Sequence, residues 1–337
     1  MIVGSGRLWR VVTGFTSTRW PGGCSDGPVG ATELDRRGVA AAIGAYSLWG
    51  LFPAFWPLLA PGAPVEILAH RIAWTAVLMV AVLTLVRGWG ELRRMRPRGW
   101  AMVAAAGTLI TVNWGVYIAA VFAGQVVEAA LGYFMSPLVS VLLGVLVLRE
   151  RLRPVQWAAV GLGFAAVVVI AVEAGHPPWI ALVLAVSFGL YGLLKRTIPL
   201  TSTAGLTAES LVLGPVALGV VAWYEITAVG TMTGHGAGHT LLLLAAGPVT
   251  ALPLLLYGVA ARRVPLSTIG VLMYVNPILQ FCWGVFVDGE AMPPTRWIGF
   301  SLVWMALVVF TLDLIRHARR PRPARPGASP VAATRAA

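Results

Sequence analysis

Three ionisable residues, Glu66, His70 and Arg71, stand close together inside an otherwise apolar run of the sequence. On a helix, Glu66 and His70 are one turn apart and share a face, whereas Arg71 points about 100° away from His70. Because histidine titrates near neutral pH, the pair could bind the polar groups of a ligand or carry a proton. Alternatively, the three side chains pair with one another and reach toward the nearer surface, with Arg71 as a structural ion partner. Glu66 and His70 are therefore candidate binding residues.

Further polar and aromatic residues occur deep inside other apolar runs. Asn113 and Trp114 are adjacent, Tyr117 follows one turn later, and Asn276 and Gln280 again lie four residues apart. Amides in such surroundings either line a cavity or bond neighbouring helices to one another, with about 0.6–2 kcal/mol per bond. Aromatic rings can stack against flat or cationic ligands. The remaining candidate binding residues are Asn113, Trp114, Tyr117, Tyr133, Glu209, Asn276 and Gln280.

These residues belong to a chain with the composition of a membrane protein. It is 58% hydrophobic and only 11% charged, with a mean hydropathy of +0.80, whereas about a quarter of the residues of a soluble domain are charged. Unbroken apolar runs of about 20 residues predict membrane-spanning helices, since barrel strands would be shorter and would alternate. The predicted fold class is an all-α integral membrane protein. The ten runs are 38–59, 65–86, 100–122, 127–148, 155–172, 178–194, 205–224, 240–260, 266–287 and 295–315.

A block of about 45 residues occurs twice in the sequence, 140 positions apart. At the same offset, Tyr117 matches Tyr257 and Ser47 matches Ser187, so the register holds over most of each half. Five spans in each half place the second half upside down relative to the first, as in many transporters. We therefore predict ten transmembrane helices in two inverted five-helix repeats. The matched positions within the block are Pro137/Pro277, Gly144/Gly284, Glu150/Glu290, Pro154/Pro294 and Trp157/Trp297.

Pro137 and Pro277 stand in the middle of equivalent spans. A proline inside a helix removes one backbone hydrogen bond, here from the carbonyl groups of Tyr133 and Met273. A free carbonyl group at the centre of a membrane must face protein or water. The two prolines are therefore predicted to be hinges that bend their helices around a central cavity. The alternative is a static kink that only shapes packing.

The basic residues segregate to one side of the predicted spans. Of the 25 lysines and arginines, 23 precede the first span or follow an even-numbered one, and only Arg71 and Arg296 lie within or at the start of a span. The positive-inside rule therefore predicts a multi-pass protein of the cytoplasmic membrane with both termini in the cytoplasm. Because the net charge of +12 belongs to these loops and tails, nucleic acid is not a predicted partner.

The sequence divides into two tails and two repeats. Residues 1–37 and 316–337 are rich in small residues, proline and arginine and lack an apolar core. They are predicted to be disordered cytoplasmic tails. The five-helix repeats are predicted to cover residues 38–173 and 178–315.

Five segments carry a resemblance to a known family. They are EILAHRIAW (66–74), VNWGVYIAAV (112–121), EAALGYFMSPLVSVLLGVLVLRERL (128–152), SFGLYGLLKR (187–196) and GPVTALPLLLYGVAARRVPLS (247–267). In this order they resemble the RarD family of the EamA-type drug/metabolite transporter superfamily, over about residues 38–315. The resemblance implies a permease of the cytoplasmic membrane with ten helices in two inverted repeats around a central substrate cavity. The chain departs from the family at Ser136, where asparagine is common.

The sequence favours a transporter over an enzyme. It contains no HExxH, GxSxG or P-loop motif, and its two cysteines, Cys24 and Cys282, imply neither a disulfide nor a metal site, so no cofactor is predicted. The predicted function is a secondary transporter that moves a small organic metabolite or drug by alternating access, with proton coupling left open. The alternative is a non-transporting membrane sensor or scaffold on the same fold. Predicted partners are a small-molecule substrate and the lipid bilayer, and a homodimer is left open.

Overall fold

The computed structural model describes residues 35–148, 152–195, 197–261, 263–264 and 266–318. Within these residues the ordered elements are helices, and no strand occurs. In chain order they are α1 (Arg36–Gly50), α2 (Phe52–Phe55), a 3-10 helix (Trp56–Leu59), α3 (Pro64–Leu85), α4 (Trp89–Arg93), α5 (Pro97–Phe122), α6 (Val126–Leu148), α7 (Pro154–Ala174), α8 (Trp179–Lys195), α9 (Ser202–Ile226), α10 (Gly236–Ala261), α11 (Leu266–Leu272), α12 (Val275–Phe286) and α13 (Pro294–Ala318).

Seven of these helices are long and apolar enough to cross a membrane, namely α3, α5, α6, α7, α9, α10 and α13. An eighth candidate span consists of α1 followed by α2 and the 3-10 helix, with a bend of 46°. The prediction of an all-α membrane protein is therefore confirmed. In the two remaining predicted spans the helices are shorter: α8 has 17 residues, or about 25 Å, and α12 has 12. The count of ten spans stays a prediction.

Proline begins four of the long helices. Pro64, Pro97, Pro154 and Pro294 are the first residues of α3, α5, α7 and α13. The N–H group of a first helical residue has no partner within the helix, so proline loses no hydrogen bond there. Pro154 and Pro294, which are 140 positions apart, thus start equivalent helices.

The two predicted hinges have different surroundings. Pro137 lies inside α6, which continues unbroken from Val126 to Leu148. Pro277 is the third residue of α12, just after the turn at Met273 and Tyr274 that separates α12 from α11. The equivalent helix of the second half is therefore broken rather than continuous. The hinge roles stay a prediction.

The helices of the two halves pack in matching pairs. α3 packs against α9, α6 against α12 and α7 against α13, and each of these pairs joins equivalent helices of the two halves. Other large helix contacts also come in equivalent pairs. Exchanging the halves turns the contact of α1 with α10 into that of α8 with α5, and the contact of α6 with α8 into that of α12 with α1. Exchanging the two halves maps this pattern of contacts onto itself.

Two glycines let helices from opposite halves approach closely. A Cβ atom on Gly132 of α6 would lie 2.8 Å from the carbonyl oxygen of Ala181 in α8. A Cβ atom on Gly247 of α10 would lie 2.5 Å from the carbonyl carbon of Trp74 in α3. Only glycine permits backbones to pack at this distance.

Carboxylates tie the halves together at one end of the bundle. We call it the acidic end, and it comprises the segments before α3, α6, α8, α10 and α13. Glu128, in the first turn of α6, accepts a hydrogen bond of 3.1 Å from the N–H of Ile180 at the start of α8. Glu290, before α13, accepts one of 3.0 Å from the N–H of Val127. Each carboxylate thus accepts a hydrogen bond from an N–H group in the first turn of a helix, where that N–H has no partner within the helix.

Ion pairs join the halves at the opposite end. We call it the basic end, and it comprises the segments before α1, α5, α7, α9 and α11. Arg153 pairs there with Asp313, and Arg263 lies 3.4 Å from Asp35. Asp35 also caps the start of α1, because its carboxylate accepts a hydrogen bond from the N–H of Arg37. Contacts at the acidic end and at the basic end thus both cross between the halves.

The predicted tails are described only in part. Helix α1 begins at Arg36 and α13 ends at Ala318, so two residues of the first predicted tail and three of the second are helical. Residues 1–34, which include Cys24, and residues 319–337 lie outside the described residues, as does Glu150.

Candidate functional site

Arg71 lies on α3 among aromatic rings, with only 1% of its surface exposed. Its guanidinium carbon is 3.9 Å from the ring centroid of Trp114, 4.9 Å from that of Trp56 and 5.4 Å from that of Phe52. These rings come from α5, the 3-10 helix and α2. Cation–π contacts of this kind contribute about 0.5–2 kcal/mol each. We call Arg71 and the three rings the arginine cage.

The arginine cage supplies ring faces but no hydrogen-bond acceptor. The Nε and Nη1 atoms of Arg71 are buried without a hydrogen-bond partner, and no carboxylate of the described residues forms an ion pair with Arg71. Phenylalanine has no acceptor, and tryptophan has only a donor. A buried cation without a partner is strongly unfavourable. The structural ion pair considered for Arg71 is therefore not formed.

Glu66 is fully buried and binds the segment before α10. Its carboxylate accepts hydrogen bonds from the N–H and the hydroxyl of Thr231, at 2.6 and 3.0 Å, and that hydroxyl lies 2.8 Å from Nε2 of His239. His70 instead accepts a hydrogen bond at Nδ1 from the indole of Trp74, at 3.1 Å, and its Nε2 has no partner. Glu66 and His70 share a helix face but not a partner, and Glu66 holds the two halves together.

Asn113 fixes the position of Tyr133 through a buried network. Its Nδ2 donates to the carbonyl of Leu184 and to the hydroxyl of Ser187, both at 3.0 Å. The hydroxyl of Tyr133 donates to Oδ1 of Asn113, also at 3.0 Å. Tyr117 packs edge-on against Tyr133 with 5.8 Å between ring centroids, but its own buried hydroxyl has no hydrogen-bond partner. The network joins α5, α6 and α8.

The two tyrosines and the arginine cage form one cluster. Trp114 and Tyr117 are one turn apart on α5, and Tyr117 belongs to the same hydrophobic cluster as Phe52 and Trp56, against which Tyr133 also packs. Among the described residues, four polar groups of the cluster are buried without a hydrogen-bond partner: Nε and Nη1 of Arg71, Nε1 of Trp56 and the hydroxyl of Tyr117. Buried polar groups are normally paired, so these groups are where a ligand is expected.

In the second half, Asn276 and Gln280, one turn apart on α12, bond to each other. Nε2 of Gln280 donates to Oδ1 of Asn276 at 2.9 Å and to the carbonyl of Trp49 at 3.3 Å. Trp49 lies near the end of α1, just before the first span bends, and its ring centroid is 6.1 Å from that of Tyr257. The two amides therefore hold α12 against α1.

Glu209 forms a buried ion pair within the second half. Its carboxylate accepts hydrogen bonds from Nζ of Lys195 at 2.7 Å and from the hydroxyl of Tyr191 at 3.2 Å. Glu209 also lines a crevice with Trp114 between α3, α5 and α9. Its charge is balanced inside the protein, which favours a structural role or a role at the basic end.

Four candidate residues, Asn113, Trp114, Tyr117 and Tyr133, lie in one cluster with Arg71, which the sequence did not single out as a binding residue. An arginine in an apolar run often pairs with a nearby acidic residue, so the sequence did not predict that aromatic rings surround Arg71. The aromatic residues of the preceding span, Phe52 and Trp56, were the available signal. Among the described residues, no group of three His, Cys, Asp or Glu side chains could hold a metal ion. The candidate site comprises Arg71, Asn113, Trp114, Tyr117 and Tyr133.

Comparison with known proteins identifies the family. The model of the EamA-like transporter family matches residues 36–172, which form the first half of the bundle. The chain is also 52% identical to the protein named Protein RarD from Streptomyces exfoliatus, over 89% of this chain and 96% of that protein. The chain belongs to the RarD family of EamA-type drug/metabolite transporters. The resemblance seen in the sequence is thereby confirmed.

Two further relatives have lower sequence identity and also match over nearly their whole length. The chain is 42% identical to the uncharacterized transporter YojE of Bacillus subtilis, over 84% of this chain and 96% of that protein. It is 38% identical to Protein RarD of Escherichia coli, over 85% of this chain and 97% of that protein. A crystal structure that is 20% identical shares the fold, with a TM-score of 0.56 over 84% of this chain and 99% of that chain. Membership of the EamA-like transporter family makes the protein a membrane transporter.

Proposed function

We propose that the protein is a secondary transporter that moves a small organic solute across the cytoplasmic membrane by alternating access. The observation that carries this proposal is the pattern of helix contacts, which maps onto itself when the two halves are exchanged. Two halves of opposite orientation can interconvert an inward-facing and an outward-facing state. The ten spans in two inverted repeats are part of this proposal.

The contacts at the two ends of the bundle support a pair of gates. At the acidic end, Glu66 of the first half binds Thr231 of the second. At the basic end, Arg153 of the first half pairs with Asp313 of the second. In an alternating-access cycle one set of contacts opens while the other remains closed. Both pairs are therefore proposed to separate once in each cycle.

The solute is proposed to bind between the gates, at the cluster of Arg71, Tyr117 and Tyr133. Partnerless groups of Arg71 and Tyr117 support this position, because a ligand would satisfy them. His70 lies one residue before Arg71 and has a buried ring nitrogen without a partner. Since histidine titrates near neutral pH, His70 is the proposed proton carrier if transport is coupled to protons.

The orientation in the membrane is part of the same proposal. The basic end of the bundle is proposed to face the cytoplasm, because most lysines and arginines belong to its loops. Reporter fusions at Arg36 and Ala318 are expected to report a cytoplasmic location for both termini. A fusion that reports the outside at either position would contradict the proposed topology.

Flux through proteoliposomes tests the transport proposal. Cysteines placed at Glu66 and Thr231, in a chain without Cys24 and Cys282, allow a short thiol cross-linker to lock the acidic end. Counterflow of labelled organic acids, amines and neutral solutes is measured before and after cross-linking. We expect flux that stops on cross-linking and returns when a cleavable linker is reduced. A sensor or scaffold would bind solute without flux in either state.

A further inference from the structure

We propose that Arg71 binds the carboxylate group of the solute, and that the solute is a monocarboxylate with an aromatic or similarly flat apolar body. This inference rests on the proposed transport function only in calling the ligand a transported solute. The charges, hydrogen-bond donors and aromatic rings of the cluster define the binding site itself.

The charge of Arg71 has no counter-ion within the described residues. A guanidinium group keeps its proton in proteins. Oε1 of Glu66, five residues earlier on α3, is bound by Thr231, and its buried Oε2 has no hydrogen-bond partner among the described residues. The carboxylate of Glu209 is paired with Lys195. Because neither carboxylate contacts Arg71, we infer that a ligand supplies the negative charge.

The N–H groups of Arg71 select the shape of the ligand's charged end. Nε and Nη1 are buried without an acceptor, and the surrounding rings of Phe52, Trp56 and Trp114 provide none. The donors of a guanidinium group form a planar fork that matches the two oxygen atoms of a carboxylate. A neutral amide or an amine would leave the charge uncompensated.

A single unpaired cation favours a monoanion over a phosphate ester. A phosphate monoester carries about 1.5–2 negative charges at pH 7, so it would require a second cation beside Arg71. Arg71 is the one basic side chain in the described cluster, and Lys195 is 2.7 Å from Glu209. A carboxylate therefore balances the site, whereas a phosphate would not.

The walls of the cluster define the rest of the ligand. Trp114, Tyr117 and Tyr133 present ring surfaces beside Arg71, and such surfaces stack well against a flat apolar group. The buried hydroxyl of Tyr117, which has no partner, can donate a hydrogen bond to an oxygen of the ligand. An aromatic carboxylate would therefore satisfy the partnerless donors of Arg71 and Tyr117 and pack against the rings.

Ligand binding to the purified protein tests this inference without measuring transport. The probes are benzoate and phenylacetate, compared with benzamide, benzylamine and phenyl phosphate, which have similar bodies and different charges. We expect benzoate or phenylacetate to raise the thermal unfolding midpoint, and the other three to do so weakly. Arg71→Gln is expected to weaken benzoate binding at least about tenfold. The matched control Arg263→Gln removes one positive charge from an exposed pair and should leave binding unchanged.

Further variants keep the test decisive if Arg71→Gln folds poorly. Arg71→Lys retains the charge but loses the fork, and Tyr117→Phe removes only one hydroxyl, so both should bind benzoate about threefold to tenfold more weakly. Equal binding of benzoate and benzamide, or unchanged benzoate affinity in all Arg71 and Tyr117 variants, would overturn the inference.

Flux measurements separate this inference from the proposed function. If benzoate binding depends on Arg71 but the protein moves no solute, the carboxylate site is supported and the transport proposal is contradicted. If the protein moves amines or neutral solutes and benzoate does not inhibit that flux, transport is supported and the carboxylate site is overturned.

Discussion

Arg71 and Lys195 are basic side chains in apolar helices of opposite halves, and their surroundings differ. Lys195 has an acidic partner, Glu209, and a ring, Tyr191, whose centroid is 5.6 Å from its Nζ. Among the described residues, Arg71 has rings only. Removing one partner of a buried pair leaves an uncompensated charge, whereas removing a buried charge that has no partner relieves one. Opposite responses to mutation are therefore expected at these two positions.

The largest effect is expected at the paired charge. Lys195→Met leaves the carboxylate of Glu209, which is 4% exposed, without its partner. We expect the free energy of unfolding to fall by about 3 kcal/mol. Denaturation of the purified protein in detergent measures this loss.

A double variant provides the control for that loss. Replacing both partners, in Lys195→Met with Glu209→Leu, should restore most of the stability because no charge is left unpaired. Arg263→Gln, which breaks an exposed pair, should cost less than about 1 kcal/mol. If Lys195→Met is as mild as Arg263→Gln, the pair is not structural.

Arg71→Met is expected to change stability in the opposite direction. The substitution removes a buried charge with no described counter-ion and keeps an apolar side chain of similar length among the rings. We expect the free energy of unfolding to rise by about 1 kcal/mol, because the burial cost of an unpaired charge outweighs the lost ring contacts. The same denaturation assay measures it in the absence of ligand. A large loss of stability would mean that Arg71 has a structural partner after all.

The two prolines extend the comparison from charges to helices. Pro277 follows a break between α11 and α12, whereas Pro137 lies in the continuous helix α6. If both are hinges, alanine at both positions should reduce flux about fivefold through slower interconversion, while solute binding changes less than about twofold. Counterflow and binding are measured on the same preparation. Unchanged flux in the double variant would make both kinks static.

The smallest effect is expected at Glu290, a carboxylate bonded to backbone N–H rather than to a cation. Burial raises the pKa of Glu290 above 4.5, although its hydrogen bonds from Val127 and Val126 act in the opposite direction. The folded protein therefore binds this proton more tightly than the unfolded chain, so stability falls as pH rises from about 4.5 through the raised pKa. Glu290→Gln should flatten that part of the curve. The measurement is the melting temperature of the parent protein and of Glu290→Gln between about pH 4 and 7. If the two melting temperatures change with pH in parallel, the prediction is wrong.

Contacts that form within one helix or at its ends follow from the local sequence. Asn276 and Gln280, one turn apart, bond to each other, and Pro154 and Pro294 begin helices. The apolar runs likewise predicted where helices lie. These features depend on neighbours in sequence, so one sequence is sufficient to predict them.

Contacts between distant helices could not be predicted in the same way. Glu66 has the spacing to meet His70 but binds Thr231, which is 165 positions away and offers two donors. Arg71 is surrounded by rings from three other elements. Which of several polar groups becomes paired depends on the packing of those elements, and periodicity carries no information about it.

The close approach at Gly247 has a mechanical consequence. Helix α3 belongs to the first half and α10 to the second, yet the backbone contact at Trp74 leaves no room for one to slide past the other. Gly132 joins α6 and α8 in the same manner. Helices that touch at such a point can still tilt about it. Gly247 and Gly132 would then act as pivots, so that Glu66 and Thr231 can separate at one end of α3 and α10 while the two helices stay in contact further along.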